Sequence, residues 1–284
     1  MNLESIYYNS NTDLELLIET EGQTLEKFSA MTGIARNTLY SIKKGNAVTD
    51  KVLEKLYSYA YENNYRLNSV KEDLLKETCS DKVLFHGSKR GLRDISTEGS
   101  RKNCDFGNGF YLGETYSQAL SFVCENRNSS VYSFVCDLKG LNIVKFDCSL
   151  DWMLAVCYYR GTINEFADSK MIRDIVMKVE SADVVVAPIA DNKMFYIMSL
   201  FAQGELNADA SLHSLAASKL GLQYIFKTDR ALETLKPVER YYLCENEKAD
   251  CRQRLVQRGS EIDTKLKLSK REYRDGLYIE ELLK

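Results

Sequence analysis

Three polar side chains interrupt otherwise apolar, strand-like stretches of this chain. His86 follows Val-Leu-Phe and precedes Gly-Ser, Tyr111 ends the glycine-rich turn of DFGNGFYLG, and Gln223 lies within LGLQYIFKT. A polar group that is buried in a strand without a partner costs about 1–3 kcal/mol. One such residue is explained by one internal hydrogen bond, but three on separate strands predict a shared cleft that binds a ligand.

The glycines of DFGNGFYLG suggest how the tyrosine would serve such a cleft. Gly107 and Gly109 let the chain turn sharply, so that the ring of Tyr111 can lie flat against a ligand. Each residue also has a purely structural alternative. His86 can be a hydrogen-bonded structural histidine, Tyr111 a core aromatic, and Gln223 a satisfied amide on an edge strand.

Composition limits the classes of protein that fit. With 284 residues, 44% of them hydrophobic, the chain can bury a core, and its net charge of −3 argues against general attraction to nucleic acid or acidic lipid. It has eight cysteines without a C-x-x-C pair and only two histidines. We therefore expect reduced thiols, a cytoplasmic location and no metal. No apolar run reaches the length of about 18 residues that predicts a membrane span, so no membrane partner is expected.

Residues 1–67 are predicted to form a small all-α domain. The first apolar face includes Leu14 and Leu17, Thr24 caps a second helix, and a third helix ends near Gly45. Short helices joined by tight turns are typical of a helix-turn-helix, and their order and spacing resemble the repressor-like family of such domains. Residues 68–81 are polar and are predicted to be a linker or a bridging helix.

The third helix of this domain carries side chains that could contact DNA. In a helix-turn-helix the second helix of the motif enters the major groove, and arginine and asparagine are suited to guanine and adenine edges. The candidate nucleic-acid contacts are Arg36, Asn37, Thr38, Tyr40, Lys43 and Lys44. Residues 1–75 nevertheless hold eight Lys and Arg against eleven Asp and Glu, so DNA binding would be weak and salt-sensitive. The alternative is a helical module that binds protein or the second domain of its own chain.

From Lys82 the sequence becomes β-rich. The strand-like runs VLFHG, GFYLG, VYSFVCDL, DVVVAPIA and LQYIFKT are interspersed with helical stretches without regular alternation. This pattern predicts an α+β fold. Residues 241–284 are highly charged and predicted to form a helical extension.

Together these segments resemble a known enzyme superfamily. An apolar strand ending in His-Gly-Ser, then FGNGFYL and the helix YSQALSF, resembles the ADP-ribosyltransferases, in particular the diphtheria-toxin and poly-ADP-ribose-polymerase branch with its His-Tyr-Glu signature. DVVVAPIADNKMF and LGLQYIFKTDRAL are similar to an uncharacterised bacterial family within that superfamily. The resemblance implies an ADP-ribosyltransferase-like split β core with helices over residues 82–240, behind the helix-turn-helix domain.

The resemblance also implies a role for each matching residue. His86, Tyr111 and Gln223 would be the catalytic positions, with NAD as co-substrate. His86 would hydrogen-bond the adenosine ribose, and Tyr111 would stack on the nicotinamide. The other candidates for contact with NAD are Gly87, Ser88, Gly109 and Tyr116. Tyr116 or Phe110 would form the second face of the stack.

Gln223 departs from the signature, which has glutamate at this position. Glutamine can still accept a hydrogen bond from a ribose hydroxyl, but it brings no charge to a developing cation. Asp191, Lys193 and Glu205 are candidates for compensating polar groups. The resemblance thus favours a single transfer of ADP-ribose to a macromolecular acceptor, protein or nucleic acid.

The alternative to a transferase is a sensor. In that case the second domain binds NAD or ADP-ribose without turnover and is attached to a transcription regulator. For the transferase, fusion to a helix-turn-helix suggests a toxin-like or phage-defence effector with a cognate antitoxin or regulator, and a homodimer is a further expectation.

Overall fold

The computed structural model of the chain describes residue 3 and residues 8–100, 103–216 and 221–284. Residues 1–2 and 4–7 of the predicted front domain and Leu220 of LGLQYIFKT lie outside the described residues. Two compact units are present, and both are discontinuous in sequence. Unit 1 comprises Met1–Asp94, Thr115–Cys136 and Lys236–Arg254, and unit 2 comprises Ile95–Glu114, Asp137–Leu235 and Leu255–Lys284. The segment boundaries inferred from the sequence stay predictions.

The secondary structure is mixed, and the α+β class is confirmed. The α-helices are α1 (Ser10–Glu21), α2 (Leu25–Thr32), α3 (Arg36–Lys43), α4 (Asp50–Glu62), α5 (Leu67–Thr78), α6 (Tyr116–Ser121), α7 (Leu150–Tyr159), α8 (Lys170–Glu180), α9 (Asn192–Ala202), α10 (Ala208–Ala216), α11 (Asp229–Leu232), α12 (Glu245–Glu272) and α13 (Ile279–Leu283). The strands are β1 (Lys82–Ser88), β2 (Phe110–Gly113), β3 (Ser130–Cys136), β4 (Ile143–Lys145), β5 (Val184–Pro188), β6 (Leu222–Phe226) and β7 (Leu235–Tyr242). A short 3₁₀ helix covers Asn164–Phe166.

The front helices α1, α2 and α3 of unit 1 occupy the stretches that the sequence predicts, with α3 ending at Lys43, two residues before Gly45. The Thr24 hydroxyl accepts a hydrogen bond from the Lys27 backbone N–H and so caps α2, and Gly33 after α2 is left-handed. Phe28 of α2 and Leu39 of α3 are fully buried. The predicted helices of this region are therefore confirmed, and their apolar faces meet in one core.

That core also contains residues from the far end of the sequence. Tyr242 and Cys244 pack among the front helices. The Tyr242 hydroxyl lies 3.0 Å from the Glu54 carboxylate and 3.1 Å from the Asp50 carboxylate, both on α4. The front helices thus share their core with the end of β7, a long-range contact that local sequence patterns do not reveal.

Helix α5 covers most of residues 68–81, which the sequence predicts to be a linker or a bridging helix. One face of this helix is buried. Asn68 and Glu72 are buried on α5. The ammonium of Lys71 lies 3.0 Å from the Asp13 carboxylate and 2.5 Å from the Glu239 carboxylate. Pairing of Lys71 with these two carboxylates offsets part of the cost of burying its charge.

Glu247 of α12 is a buried carboxyl within unit 1. It is 8% exposed and accepts a hydrogen bond of 2.9 Å from the Asn68 amide, whose own Oδ1 has no donor among the described residues. Burial raises the pKa of Glu247 from 4.5 to about 7. The folded protein therefore favours the neutral carboxyl, and this group costs stability once the pH is high enough to ionise it.

Glu247→Gln is expected to stabilise the protein at pH 8 and to have little effect near pH 4. Because the pKa is raised in the folded state, the ionisation penalty is absent below pH 4.5, grows as the pH rises to about 7 and is complete above it. We expect a gain of about 2–3 kcal/mol in the free energy of unfolding at pH 8, measured by urea denaturation. The exposed Glu77→Gln is the matched control. An equal gain at both pH values would contradict this origin.

The strands of unit 1 run in the order β1-β3-β7. β1 and β3 are antiparallel, with His86 opposite Tyr132 and Ser88 opposite Ser130. Helix α6 covers them, and its capping box is formed by Thr115 and Gln118. These elements fix the position of the predicted His-Gly-Ser segment in unit 1.

Unit 2 contains the strands in the order β4-β5-β6-β2. β4 and β5 are parallel, whereas β5–β6 and β6–β2 are antiparallel. Helices α7, α8, α9 and α10 supply much of the core, in which Trp152, Ile197 and Phe201 are fully buried. Ile262 and Leu266 of α12 and Ile279 of α13 join the same core, so the charged C-terminal extension is helical as predicted and is packed.

No disulfide joins the eight cysteines, all of which lie among the described residues. Five of them are buried: Cys124, Cys136, Cys157, Cys244 and Cys251. Within the described ranges, no helix combines the length and apolar character that crossing a bilayer requires.

Candidate functional site

The glycine-rich turn before β2 is held closed by Tyr111. The Tyr111 hydroxyl donates a hydrogen bond of 2.7 Å to the Gly107 carbonyl and accepts one of 3.1 Å from the Phe106 N–H. Gly107 has a φ of +72°, a conformation that other residues rarely adopt. Burial raises the pKa of the Tyr111 hydroxyl, which therefore stays protonated as a donor. The tyrosine next to the glycines thus fixes the backbone of its own turn.

Lys227 also binds the backbone of the same turn. Its ammonium donates a hydrogen bond of 2.8 Å to the Phe106 carbonyl and lies 3.3 Å from the Glu180 carboxylate. Gly109 packs directly on β6, because a Cβ there would lie 2.6 Å from Ile225 Cγ2. The turn is therefore a rigid element rather than an open loop.

Tyr111 and Gln223 lie on the same face of the sheet in unit 2. In the antiparallel pair of β2 and β6, Tyr111 is opposite Ile225 and Gly113 is opposite Gln223. Side chains alternate between faces with a period of two, so residues 111 and 113 share a face with 223 and 225. The structure thus brings two of the three predicted catalytic residues to diagonal positions, typically about 7–8 Å apart.

The amide of Gln223 is bound inside the protein. Its Nε2 donates a hydrogen bond of 2.7 Å to Asp105 Oδ2 and one of 3.1 Å to the Pro188 carbonyl. Gln223 is 6% exposed. Both N–H donors of the amide are therefore used, and Oε1 has no donor among the residues that the structure describes.

Asp105 connects Gln223 to an arginine. The Arg160 Nε donates a hydrogen bond of 2.8 Å to Asp105 Oδ1, and Arg160 Nη2 contacts the same oxygen. Arg160 Nη2 also donates to the Ala190 carbonyl at 2.8 Å, and its guanidinium lies 4.2 Å from the ring centroid of Phe195. Asp105 is 6% exposed, so this is a buried carboxylate whose two oxygens have separate partners.

Asp105 and Arg160 are the two residues of this cluster that sequence reasoning missed. Asp105 opens the stretch DFGNGFYLG, in which the sequence pattern indicated a role only for the glycines and the tyrosine. Arg160 follows α7 directly, in a position that reads as an ordinary C-terminal cation. No signal in the sequence places Asp105 beside Gln223, because the two residues are 118 positions apart in the chain.

Two of the three compensating groups that the sequence suggested have side-chain partners other than Gln223. Asp191 caps α9 through the Met194 N–H and pairs with Arg258 at 2.9 Å. Lys193 donates to the Asp263 carboxylate at 2.7 Å, and Glu205 is exposed. Asp105, rather than any of these three, is in contact with Gln223.

The remaining predicted NAD contacts lie in unit 1. His86 is half-buried on β1. The Ser88 hydroxyl donates a hydrogen bond of 2.6 Å to the Gly91 carbonyl. Tyr116 is 2% exposed, its hydroxyl accepts a hydrogen bond of 2.8 Å from Asn68, and burial raises its pKa. Core packing alone accounts for an aromatic residue at 116.

Gly87→Ala is expected to destabilise unit 1 by about 1–3 kcal/mol, because overpacking forces the backbone to move. A Cβ at Gly87 would lie 2.4 Å from the Ala119 carbonyl oxygen of α6. Urea denaturation measures the loss. Gly99→Ala is the control, since a Cβ there meets nothing closer than Ser96 O at 3.8 Å. Equal stability of the two variants would show that α6 adjusts freely at Gly87.

The predicted nucleic-acid residues lie on α3 or directly after it. Leu39 and Ile42 face the core, whereas Arg36, Asn37 and Tyr40 are exposed. Thr38 is half-buried, and Lys43 and Lys44 are exposed at the end of the helix. Arg36 lies 4.0 Å from the Glu26 carboxylate and Lys43 lies 3.9 Å from the Glu15 carboxylate. The helix thus presents one polar surface, with two of its cations beside acidic residues.

Comparison with known proteins identifies one family. Residues 82–236 match the model of a family described as "Protein of unknown function (DUF3990)". No curated protein and no solved structure matches the chain. The matched segment is more than half of the 284 residues and includes Asp105, Tyr111, Arg160 and Gln223. The chain therefore belongs to the DUF3990 family.

Proposed function

We propose that the protein is an NAD-dependent mono-ADP-ribosyltransferase that modifies a macromolecular acceptor. One observation carries the proposal: Tyr111 and Gln223, two positions of the signature that the sequence resembles, lie on one face of adjacent strands. They are 112 positions apart in the chain, from 111 to 223, so no local pattern forces this arrangement.

Tyr111 contributes a fixed aromatic ring. Its hydroxyl is committed to the Phe106 and Gly107 backbone, so the ring, and not the hydroxyl, is the part that would contact nicotinamide. A ring that is already immobile loses little conformational entropy when it stacks on a ligand. The immobility of the Tyr111 ring is therefore the property that suits it to stacking on an aromatic ligand.

Gln223 contributes an acceptor. With both N–H donors used, its Oε1 suits a ribose hydroxyl that donates a hydrogen bond. The nearby Asp105 carries the charge that glutamine lacks, but Arg160 is bound to it. The transition state would therefore gain less electrostatic stabilisation than a glutamate gives, which favours slow, single transfer over chain extension.

In the proposed reaction the bond between the ribose C1′ and the nicotinamide nitrogen breaks, and nicotinamide leaves with the electron pair. A nucleophilic atom of the acceptor forms a new bond to C1′ and loses its proton to solvent. Orientation of the two reactants and exclusion of water would provide much of the rate enhancement.

Nicotinamide release from NAD tests this proposal. The purified protein, supplied with a bacterial lysate as a source of acceptors, is expected to release nicotinamide, and Tyr111→Ala is expected to lose at least about 90% of the rate. Tyr196→Ala is the control, because Tyr196 is 52% exposed in the same unit. Equal rates of nicotinamide release for the wild type and Tyr111→Ala would show that Tyr111 has no part in the reaction.

A second candidate function is an NAD or ADP-ribose sensor without turnover. The observation that favours it is the internal pairing of Gln223 and Asp105, which leaves no carboxylate unpaired at this position. Calorimetric binding of NAD without release of nicotinamide would favour the sensor, and release would exclude it.

We also propose that α3 binds DNA, with the polar surface that includes Arg36 and Asn37. The neighbouring acids Glu15 and Glu26 would make this binding weak and strongly salt-dependent. A DNA-linked transferase would suit a toxin-like or phage-defence effector with a cognate antitoxin or regulator, acting as a homodimer. Fluorescence anisotropy with duplex DNA at two salt concentrations, for the wild type and Arg36→Ala, tests this. Equal affinities would exclude Arg36.

A further inference from the structure

We infer that Asp105 and Arg160 are positioning residues that orient the Gln223 amide, so that its Oε1 is offered as a hydrogen-bond acceptor to the ligand. The ligand group at this point must then be a donor, a hydroxyl or an N–H. This inference rests on the proposed function, because it takes NAD, whose riboses carry hydroxyls, as the ligand.

The orientation of the amide follows from its two neighbours. Asp105 Oδ2 and the Pro188 carbonyl are both acceptors, and each lies within hydrogen-bond distance of Gln223 Nε2. If the amide were rotated by half a turn, Oε1 would face two acceptors and two hydrogen bonds would be lost. Only one orientation of the amide satisfies the network.

The two acceptors are themselves held in place. Arg160 uses Nε and Nη2 on Asp105 Oδ1, which leaves Oδ2 for the amide. The Pro188 carbonyl also accepts a hydrogen bond of 3.1 Å from the indole N–H of Trp152, a fully buried residue. The two groups that bind the Gln223 amide are thus held in place by hydrogen bonds of their own, as precise ligand recognition requires.

This arrangement changes the meaning of the simplest mutation at the site. Gln223→Glu introduces a carboxyl at a position where the present Nε2 lies 2.7 Å from Asp105 Oδ2. Two carboxylates that close cannot both be ionised at low cost, so the pKa of the introduced carboxyl would be raised. When protonated, it could donate to Asp105 as the amide does and keep an acceptor for the ligand. When ionised, it would repel Asp105 and lose that orientation.

The test is the dissociation constant of NAD, measured by calorimetry at pH 6 and pH 8. We expect Gln223→Glu to bind NAD at least about tenfold more weakly at pH 8 than at pH 6. The wild type should change less than about twofold. The double variant Asp105→Asn plus Gln223→Glu restores a single carboxylate beside Arg160 and should lose most of the pH dependence. Gln203→Glu adds the same charge at an exposed position and serves as the control.

Thermal unfolding without NAD gives a second measurement. Relative to the wild type, Gln223→Glu should lose stability from pH 6 to pH 8, and the double variant should not. If the wild type binds NAD but Gln223→Glu binds it equally at both pH values, the positioning role is wrong while the proposed function stands. If the wild type does not bind NAD, the proposed function fails, and the ligand assignment fails with it.

Discussion

Arg160→Met is expected to lower the free energy of unfolding by about 3–5 kcal/mol, because it leaves a buried carboxylate without its cation. Asp105 is 6% exposed, and Arg160 is bound to its Oδ1 through two nitrogen atoms. Methionine retains much of the side-chain volume, so the loss reports the missing charge and hydrogen bonds rather than a cavity. The cation–π contact with Phe195 would be lost as well.

Chemical denaturation at neutral pH measures this loss. Arg230→Met is the matched control, because the side chain of Arg230 is 66% exposed and its ion pair with Asp183 is long, at 3.8 Å. An exposed pair of this kind contributes at most about 1 kcal/mol. If Arg160→Met lost no more stability than the control, Asp105 could not be the buried, charge-dependent anchor that orients Gln223.

Lys71→Met is expected to have an equally large effect in unit 1. The Lys71 side chain is 10% exposed and its ammonium contacts the carboxylates of Asp13 and Glu239, with the ring centroid of Tyr241 at 4.7 Å. Burial alone would lower the pKa of Lys71, but the two carboxylates outweigh it and raise that pKa. Removal of the ammonium leaves two buried anions, and we expect a loss of about 3–5 kcal/mol at neutral pH.

The pH dependence of this loss provides a further check. Burial raises the pKa of Glu239 even with Lys71 present, and the variant would raise it more. Protonation of Glu239 at low pH would remove one of the two anions, so the destabilisation should shrink as the pH falls. Lys43→Met is the control, since Lys43 is 50% exposed and lies 3.9 Å from Glu15. If the loss of stability did not change with pH, its cause would be lost packing and not the unpaired carboxylates.

Local sequence signals predicted much of the fold. The front helices followed from the caps at Thr24 and Gly33 and from buried positions such as Phe28. The five strand-like runs became β1, β2, β3, β5 and β6. These elements were predictable because apolar periodicity and capping are properties of neighbouring residues.

Elements and contacts that depend on distant residues were not predictable in this way. β4 has only three residues, too few to show a pattern. In β7, Pro237, Glu239 and Arg240 interrupt the alternation of apolar and polar residues that would predict a strand. Asp105 and Gln223 are 118 positions apart, and their contact depends on the register of β2 against β6. The sequence shows that glutamine at position 223 brings no charge to the site. Only the folded chain shows that the Asp105 carboxylate lies beside it.

The most direct test of the central claim is the transfer of label from NAD to macromolecules. NAD labelled in its adenylate phosphate would be incubated with the wild type, Tyr111→Ala or Tyr196→Ala in a bacterial lysate, and the label in protein and in nucleic acid counted separately. The proposed transferase predicts label on one of these classes with the wild type and Tyr196→Ala, and its loss with Tyr111→Ala. NAD that is bound by the wild type and recovered intact, with no macromolecule labelled, would contradict the transferase and leave the sensor.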